Sequence, residues 1–261
     1  MKLRRLTRKR ATDEVYEALR DAILSRGFKP GERLQVEDIA LKLGVSLTPV
    51  RHSVQRLCTE GLVEIRPRSG TFVATLTVED IQSTFEVRCA LECLAAELAI
   101  PRMSRAIAQE FDELLALLRQ PVHDEEALRK HEQANSDFHQ TLLQASRNKR
   151  LEEVYAGLNA HLTIARIHAS ESRKTETSLE SPFQGKEWLA RFTQEQFEHE
   201  EIVAALKAKQ VERARECLRK HIYRAKDAMI ASFAAVSAPA TARAGRRPDG
   251  ASPSKRKRSR S

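Results

Sequence analysis

Aromatic residues are scarce in this 261-residue chain, at 5% with a single tryptophan. Leu, Ala, Glu and Arg dominate instead, a composition that favours helices over sheets. Long apolar runs are absent: none approaches the ~20 residues of a membrane span. The opening MKLRRLTRKR is basic, but no apolar signal-peptide core follows it. Cysteine is sparse too. Cys58, Cys89, Cys93 and Cys217 show no paired metal-ligand spacing. Cys89 and Cys93 fall one turn apart on an expected helix, where a disulfide is disfavoured, so buried reduced thiols in a cytoplasmic protein are expected. Catalytic signatures are missing as well. HEEIV lacks the second histidine of a HExxH zinc motif, and no Ser-His-Asp or Cys-His set stands out. A metal-dependent hydrolase is therefore disfavoured. No internal repeat is visible.

Charge is plentiful and uneven. Residues 1–78 carry 15 Lys+Arg against 9 Asp+Glu, residues 79–236 carry 22 against 26, and residues 237–261 carry 8 against 1. Basic ends around a mildly acidic middle imply a polyanion partner at the ends. The last stretch, rich in Ala, Pro, Arg and Ser and ending SPSKRKRSRS, cannot bury enough apolar surface to offset its ordering entropy. It is expected to be a disordered basic tail. Such a tail is either an auxiliary DNA anchor or a solvated terminus, and it also admits a constitutive nucleic-acid-compacting protein as a rival reading.

Near the front, ATDEVYEALRDAILSRG places Val15, Leu19, Ala22 and Ile23 on one helical stripe ended by Gly27. A Pro30-Gly31 turn follows, then a short helix from Val36 to Leu43 stopped at Gly44. Residues 44–61, GVSLTPVRHSVQRLCTEG, form a third helix. On a helical wheel Val54 and Leu57 fall within about 40° of Val50, while Arg51, His52 and Gln55 lie at roughly 100° to 200°. The first set buries and the second is displayed. Ser46 or Thr48 is positioned to cap this helix, and Ile39, Ala40 and Leu43 should pack the preceding helix across it. LVEIRPRSGTFVAT then alternates, with Leu62, Glu64 and Arg66 on one face, Val63 and Ile65 on the other, and a turn at Ser69-Gly70. Three helices and a hairpin in about 75 residues is the order of a winged helix-turn-helix. An Arg/Gln face on the second of two tightly turned helices suits a B-DNA major groove. The bland alternative is a three-helix unit with a solvated basic face. Arg66 and Arg68 in the wing argue against it, since they would sit near phosphates.

The segment LRDAILSRGFKPGERLQVEDIALKLGVSLTPVRHSVQRLCTEGLVEIRPRSGTFV resembles the DNA-binding domain of GntR-type bacterial transcription regulators. PGERL, GVS-x-TPVR, L-x-x-EGLV and R-x-GTFV stand in the family's order over about 55 residues. The resemblance implies DNA contacts from Arg33, Ser46, Thr48, Arg51, His52, Gln55, Arg56, Arg66, Arg68 and Gly70, with Arg51 the foremost base contact. Leu47 stands where the family usually has Arg, and His52 where it has Glu. One grip is thus subtracted and one titratable group added.

From Val78 to about Val236 the pattern is helical, with breaks near Pro101, Pro121 and Asn148 and a polar loop over residues 170–186. The fold class is therefore mainly α: an N-terminal winged helix-turn-helix (residues 1–76), a C-terminal all-helical antiparallel bundle (77–236) and the tail (237–261). Within the bundle, His199 and His221 are 22 residues apart around a hinge at Lys209–Gln210. In a helical hairpin each lies roughly 16 Å from the hinge at 1.5 Å per residue, so the two sit side by side. His139 belongs to HEQANSDFHQTLL, one turn beyond Asn135 on the same face. Three imidazoles and one oxygen donor can converge on a divalent metal in a bundle core. Spacing alone equally allows ordinary hydrogen-bonded or exposed histidines.

Residues 79–230 resemble the helical effector domain of the FadR subfamily, the FCD type. The marks are Glu86, Val87, Arg88, Leu91 and Glu92 in EVR-x-x-LE, Asn135, Phe138 and His139 in N-x-x-FH, and the histidine pair in HEEIVAALKAKQVERARECLRKHI. The resemblance implies a metal on Asn135, His139, His199 and His221 (zinc, with nickel or manganese as alternatives) and a small carboxylate effector bound beside it. Asn135 replaces the commoner Asp, which removes one negative charge, and AKQVERA stands where the family often has Gly-Asp. Along Val78–Ile100 the residues Val87, Leu91, Leu94, Ala95 and Leu98 form an expected apolar stripe bordered by Arg88. Arg88 is either a surface partner of Glu92 or a cavity arginine that forks onto the effector; the resemblance implies the second.

The expected protein is a homodimeric, bacterial cytoplasmic, nucleoid-associated transcription regulator, and a repressor in the family's commoner mode. It would bind a double-stranded DNA operator under control of an organic acid. A regulator whose metal is itself the signal is the alternative.

Overall fold

The computed structural model describes residues 9–160 and 186–237. The polar loop expected at 170–186 and the basic tail lie outside the described residues, apart from Lys186 and Ser237 at the ends of helices. The chain is mainly helical. The head comprises α1 (Lys9–Leu24), β1 (Arg33–Leu34), α2 (Val36–Leu43), α3 (Leu47–Thr59), β2 (Val63–Arg66) and β3 (Gly70–Val73). The helical part comprises α4 (Val78–Ala99), a 3-10 turn (Ile100–Arg102), α5 (Arg105–Leu118), α6 (Glu125–Ala145), α7 (Lys149–Gly157), α8 (Lys186–Lys207) and α9 (Val211–Ser237).

Two separate apolar cores result. In the head, Val15, Tyr16, Leu19 and Ile23 of α1 meet Ile39 and Ala40 of α2, Val50, Val54 and Leu57 of α3, and Leu62, Val63 and Val73 of the wing. Ala22 is only half-buried. The bend between α2 and α3 turns on Gly44, whose left-handed φ of 65° sends its N–H back to Ala40 and Leu41. Leu43, expected to pack between the helices, is 41% exposed, because the chain leaves the core at that last turn.

The wing has three strands in the order β1-β3-β2, all antiparallel, with Arg33 opposite Phe72 and Ile65 opposite Thr71. The two-residue β1 is too short to show a period in sequence. The expected alternation fails in β2, where Leu62 and Val63 are both buried and Ile65 is 44% exposed. Gly61, at φ 73°, rotates the chain so that Leu62 packs before the strand begins. By Ile65 the hairpin has run past the edge of the core.

Helix starts in the bundle are explicit. Thr77 and Asp80 form a reciprocal capping box on α4. Ser104, Asp124 and Asn148 each accept a backbone N–H at the starts of α5, α6 and α7. The hinge between α8 and α9 forms without glycine, and Lys209 takes the left-handed conformation at φ 57°.

The inward face of α4 differs from the expected stripe. Val87 and Leu94 are 45% and 41% exposed, Leu91 and Leu98 half-buried, and only Ala95 of the five is buried. Ile81, Phe85, Arg88, Cys89, Glu92, Cys93, Ala96 and Ala99 face inward with it. Two charged residues on the buried face made its true direction unreadable by hydropathy. At its far end α9 reaches the head. Phe233 lines a cleft of about 230 Å³ together with Ile23, Phe28, Val73 and Leu76. Among the described residues no helix is long and apolar enough to cross a membrane.

Candidate nucleic-acid interface and metal centre

On α3, Val50, Val54 and Leu57 are buried, and Arg51, His52 and Gln55 are exposed on one side. Ser53 is buried as well, a contact not foreseen, with its hydroxyl 2.9 Å from the carbonyls of Thr12 and Pro49. It ties α3 to α1. Ser46 occupies the N-cap position in extended conformation, but its side chain makes no capping hydrogen bond, and Thr48 is exposed in the first turn. Both hydroxyls thus stand clear of the helix they were expected to cap. Leu47 packs against the edge of the head core, so this residue serves the fold where the family usually has a DNA-facing arginine.

Arg56 is exposed too, but is also engaged within the head. Its guanidinium lies 3.5 Å from the centre of the Tyr16 ring, with Nε 3.2 Å from Glu60 and a terminal nitrogen 3.8 Å from Asp13. Tyr16 donates its hydroxyl to Glu60 at 2.7 Å. Burial, and then Glu60, push the Tyr16 phenol up to about 12. Arg56 is therefore a clamp between α3 and α1.

In the wing, the Arg33 side chain crosses Gly70, where an added Cβ would come within 2.9 Å of Arg33 Nε. Gly70 also holds φ 119°, and it is this backbone conformation that calls for glycine, since the Arg33 side chain could swing aside. Arg66 lies over the Phe72 ring at 4.5 Å and pairs with Glu64 at 3.0 Å. Arg68 stands exposed at the turn with φ 62°. The wing thus carries three arginines, a residue type suited to phosphates.

In the bundle, α6 supplies Asn135 and His139, α8 His199, and α9 His221. The ligand atoms of the three histidines all lie within 4.8 Å of one another, and all three are buried. His139 Nε2, both ring nitrogens of His199 and Asn135 Oδ1 are buried without a hydrogen-bond partner. Such orphaned polar atoms in one core are costly unless something fills the space between them. The other ring nitrogens are held. His139 Nδ1 is 2.6 Å from Glu92 Oε2, and His221 Nδ1 is 3.0 Å from Glu198 Oε2. A carboxylate only accepts, so each Nδ1 carries the proton and each Nε2 keeps its lone pair for a ligand. Carboxylate backing of this kind orients metal-binding histidines and raises their basicity. The residues present fit a divalent ion of zinc type.

Electrostatics favour the same state. Burial brings the His139 imidazole down to about 4 despite Glu92, and burial and the neighbouring His221 and His139 hold His199 well below its usual value. Both stay neutral, as metal ligation requires. Burial works against ionising Glu92, but His139 and Arg88 hold its carboxyl far below the usual range. Glu198 is held down to about 2, against burial, by hydrogen bonds from His221, Gln194 and Arg224.

Arg88 is buried, at 4% exposure, with Nε 2.7 Å from Glu92 Oε1. The surface-pair alternative is thereby removed. Tyr155 donates to the same Glu92 oxygen at 2.9 Å. Burial opposes the charge on Arg88, and Tyr155 and Glu92 more than restore it. Glu198, Tyr155 and Arg224 were not foreseen. Glu198 directly precedes His199, and that adjacency was the available signal. His131, one turn before Asn135, is a further buried imidazole, edge-on to Phe192 at 4.7 Å.

Comparison with known proteins agrees with this anatomy. Residues 11–73 match the model of bacterial regulatory proteins of the gntR family, and residues 83–224 match the FCD domain. The chain belongs to the GntR family, with an FCD-type helical domain. Relatives include the HTH-type transcriptional regulator YdhC of Bacillus subtilis, 28% identical over 59% of this chain and 69% of that protein. Another is the HTH-type transcriptional repressor RspR of Escherichia coli, 26% identical over 50% of this chain and 57% of that one. Among solved structures, E. coli McbR/YncC superposes with a TM-score of 0.60 at 23% identity, covering 85% of this chain and 98% of that one. A GntR regulator from Rhodococcus sp. RHA1 gives 0.59 at 24%, covering 85% and 99%. These structures share the fold. This GntR-family protein is accordingly a transcription regulator, of a family that binds DNA and is not enzymatic.

Proposed function

We propose that this GntR-family chain is a homodimeric cytoplasmic repressor whose grip on its operator is set by a small organic acid bound beside a divalent metal. Two heads would read two half-sites of a near-palindromic operator through Arg51, His52 and Gln55, with Arg33, Arg66 and Arg68 on the backbone. The observation that carries the effector half is the convergence of His139, His199 and His221, with buried nitrogens of His139 and His199 facing no partner. Asn135, His139, His199 and His221 would hold the ion, zinc first and nickel or manganese as alternatives. When bound, the ion supplies a Lewis-acidic point that attracts a carboxylate oxygen.

The chain's own groups do the rest. Glu92 and Glu198 fix the tautomers of His139 and His221. Arg88 borders the site, but its charge is already balanced by Glu92. Net attraction for a carboxylate therefore leans on the ion, and Arg88 contributes orientation. Helix α9 joins the two halves physically, with His221 at the site and Phe233 against the head. A ligand shifts the heads only by its differential affinity for their two arrangements.

A second reading, with the metal itself as signal, has one observation in its favour. Were Asn135 to join the three histidines, the chain itself would supply four donors, as many as a structural zinc site takes, and would leave less room for an effector on the ion. One experiment separates the two. Operator binding is titrated with metal alone, then with a panel of small carboxylates at fixed metal. A response to carboxylates supports the effector reading, and a response to metal alone supports the second. Full metal content in a His199→Ala, His221→Ala double variant would refute both.

A further inference from the structure

Away from the histidine cluster, two buried thiols stand at the floor of a groove among the described residues. Cys89 and Cys93 stand one turn apart on α4 and line a groove of about 350 Å³ between α4 and α9, opposite Arg219 and Tyr223. Both thiols are free. The Cys93 sulfur lies 3.8 Å from the backbone carbonyl of Arg215, to which it can donate. Cys93, with Arg219 and the Tyr223 hydroxyl assisting against burial, brings the Cys89 thiol down to about 7. Cys93 is pushed up in turn by Cys89 and by burial.

The helix restricts what this pair can do. A disulfide needs Cβ atoms about 3.5–4.5 Å apart, whereas positions four apart on a helix hold them at about 5–6 Å. Direct sulfur–sulfur bonding would unwind the turn that carries Arg88 and Glu92. A bridging atom with bonds of about 2.3 Å to each sulfur spans the gap without that cost. The histidine cluster offers only nitrogen and oxygen donors, so a soft, sulfur-seeking centre would sort to the groove and a borderline ion to the histidines.

We propose that Cys89 and Cys93 form a two-thiolate site for a soft, thiophilic centre of the trivalent-arsenic type. With an arylarsine oxide the reaction balances simply. Two S–H bonds and the arsenic–oxygen bond break, two As–S bonds form, and the oxygen leaves as water with both protons. Arsenic stays trivalent and no oxidant is consumed. Because Cys89 follows Arg88 and Cys93 follows Glu92, occupancy gives the helix that borders the effector site a second chemical input.

The test uses natively purified full-length protein with one equivalent of phenylarsine oxide, followed by maleimide labelling and peptide mass mapping. The expected result is protection of Cys89 and Cys93 together, with Cys58 still labelled, and reversal by excess dithiothreitol. Cys89→Ser or Cys93→Ser should each weaken retention on the order of 100-fold, because a chelate becomes a single bond. Cys58→Ser and Cys217→Ser should leave it unchanged. The mapping on the unsubstituted chain stands whether or not a variant folds. Protection that falls on Cys58 or Cys217, that reaches neither Cys89 nor Cys93 before denaturation, or that is retained equally by Cys89→Ser overturns the proposal.

Discussion

Replacing Glu92 by Gln should damage this protein far more than its size suggests. Glu92 is fully buried, and three groups donate to it: Arg88 Nε at 2.7 Å, the Tyr155 hydroxyl at 2.9 Å and His139 Nδ1 at 2.6 Å. The amide keeps the shape but offers one accepting oxygen and one NH₂, and that NH₂ must face a donor whichever way it turns. Arg88 is left as an unbalanced buried cation. Breaking a buried pair in this way costs about 3–5 kcal/mol. If the stranded charge is the cause, removing it as well should restore stability. The Arg88→Met, Glu92→Gln double variant is expected to recover more than about half of the loss, a coupling that independent sites would not show. Urea unfolding of metal-free protein measures both numbers, provided the denaturant slope is unchanged. On loaded protein, loss of the Glu92 contact to His139 should lower metal affinity by about 10–100-fold in chelator competition. A single variant within about 1 kcal/mol of the parent, the ordinary range for a surface pair, would refute the reasoning, as would a double variant no better than the single one.

Three other expectations follow from the geometry. Arg51→Ala should cost about 1–3 kcal/mol of operator affinity and relax preference at one base pair, while Arg56→Ala should cost about 1 kcal/mol of head stability and leave base preference intact; binding isotherms on operator variants and thermal melts distinguish them, and interchanged outcomes would reverse the assignment of the two arginines. Lys209→Gly should stabilise the protein by about 1 kcal/mol, since a side chain in left-handed conformation is relieved at the α8–α9 hinge; an unchanged urea midpoint would contradict the φ observed there. In metal-free protein His139 and His199 are held neutral below the ~6.5 at which an unfolded histidine titrates. The unfolded chain then binds more protons, so stability is full above about 6.5 and is lost as pH falls from there toward 4, by up to about 1.4 kcal/mol per pH unit for each histidine. Equal urea midpoints at pH 7 and 5 would show that these imidazoles are not buried neutral.

Much of the fold was legible because its signals are local. The helix stop at Gly44, the displayed face of α3 and the hairpin turn each depend on a few neighbouring residues. The juxtaposition of His199 and His221 followed from their equal distances to one hinge, and the structure does bring them together with His139. What was not legible is non-local. The strand Arg33–Leu34 exists only because β3 is there to pair with it. The contact of Arg56 with Tyr16 across two helices has no sequence period. On α4 the hydropathy pattern pointed Val87 and Leu94 inward, whereas the buried side carries Arg88 and Glu92. Hydropathy assumes that burial selects apolar groups, and a site built around charge violates that assumption. Glu198 escaped notice for the same reason, although it stands beside His199.

The cleft beneath Phe233 bears on how motion could pass between the two halves. A close-packed seam would weld head to bundle, and any tilt of one would have to break contacts across the whole junction. The structure instead runs one continuous helix, α9, from His221 in the bundle core to Phe233 at the rim of a cleft of about 230 Å³ beside the head. Bundle and head are thus linked by a single shaft that meets an unfilled hollow, and not by a filled junction.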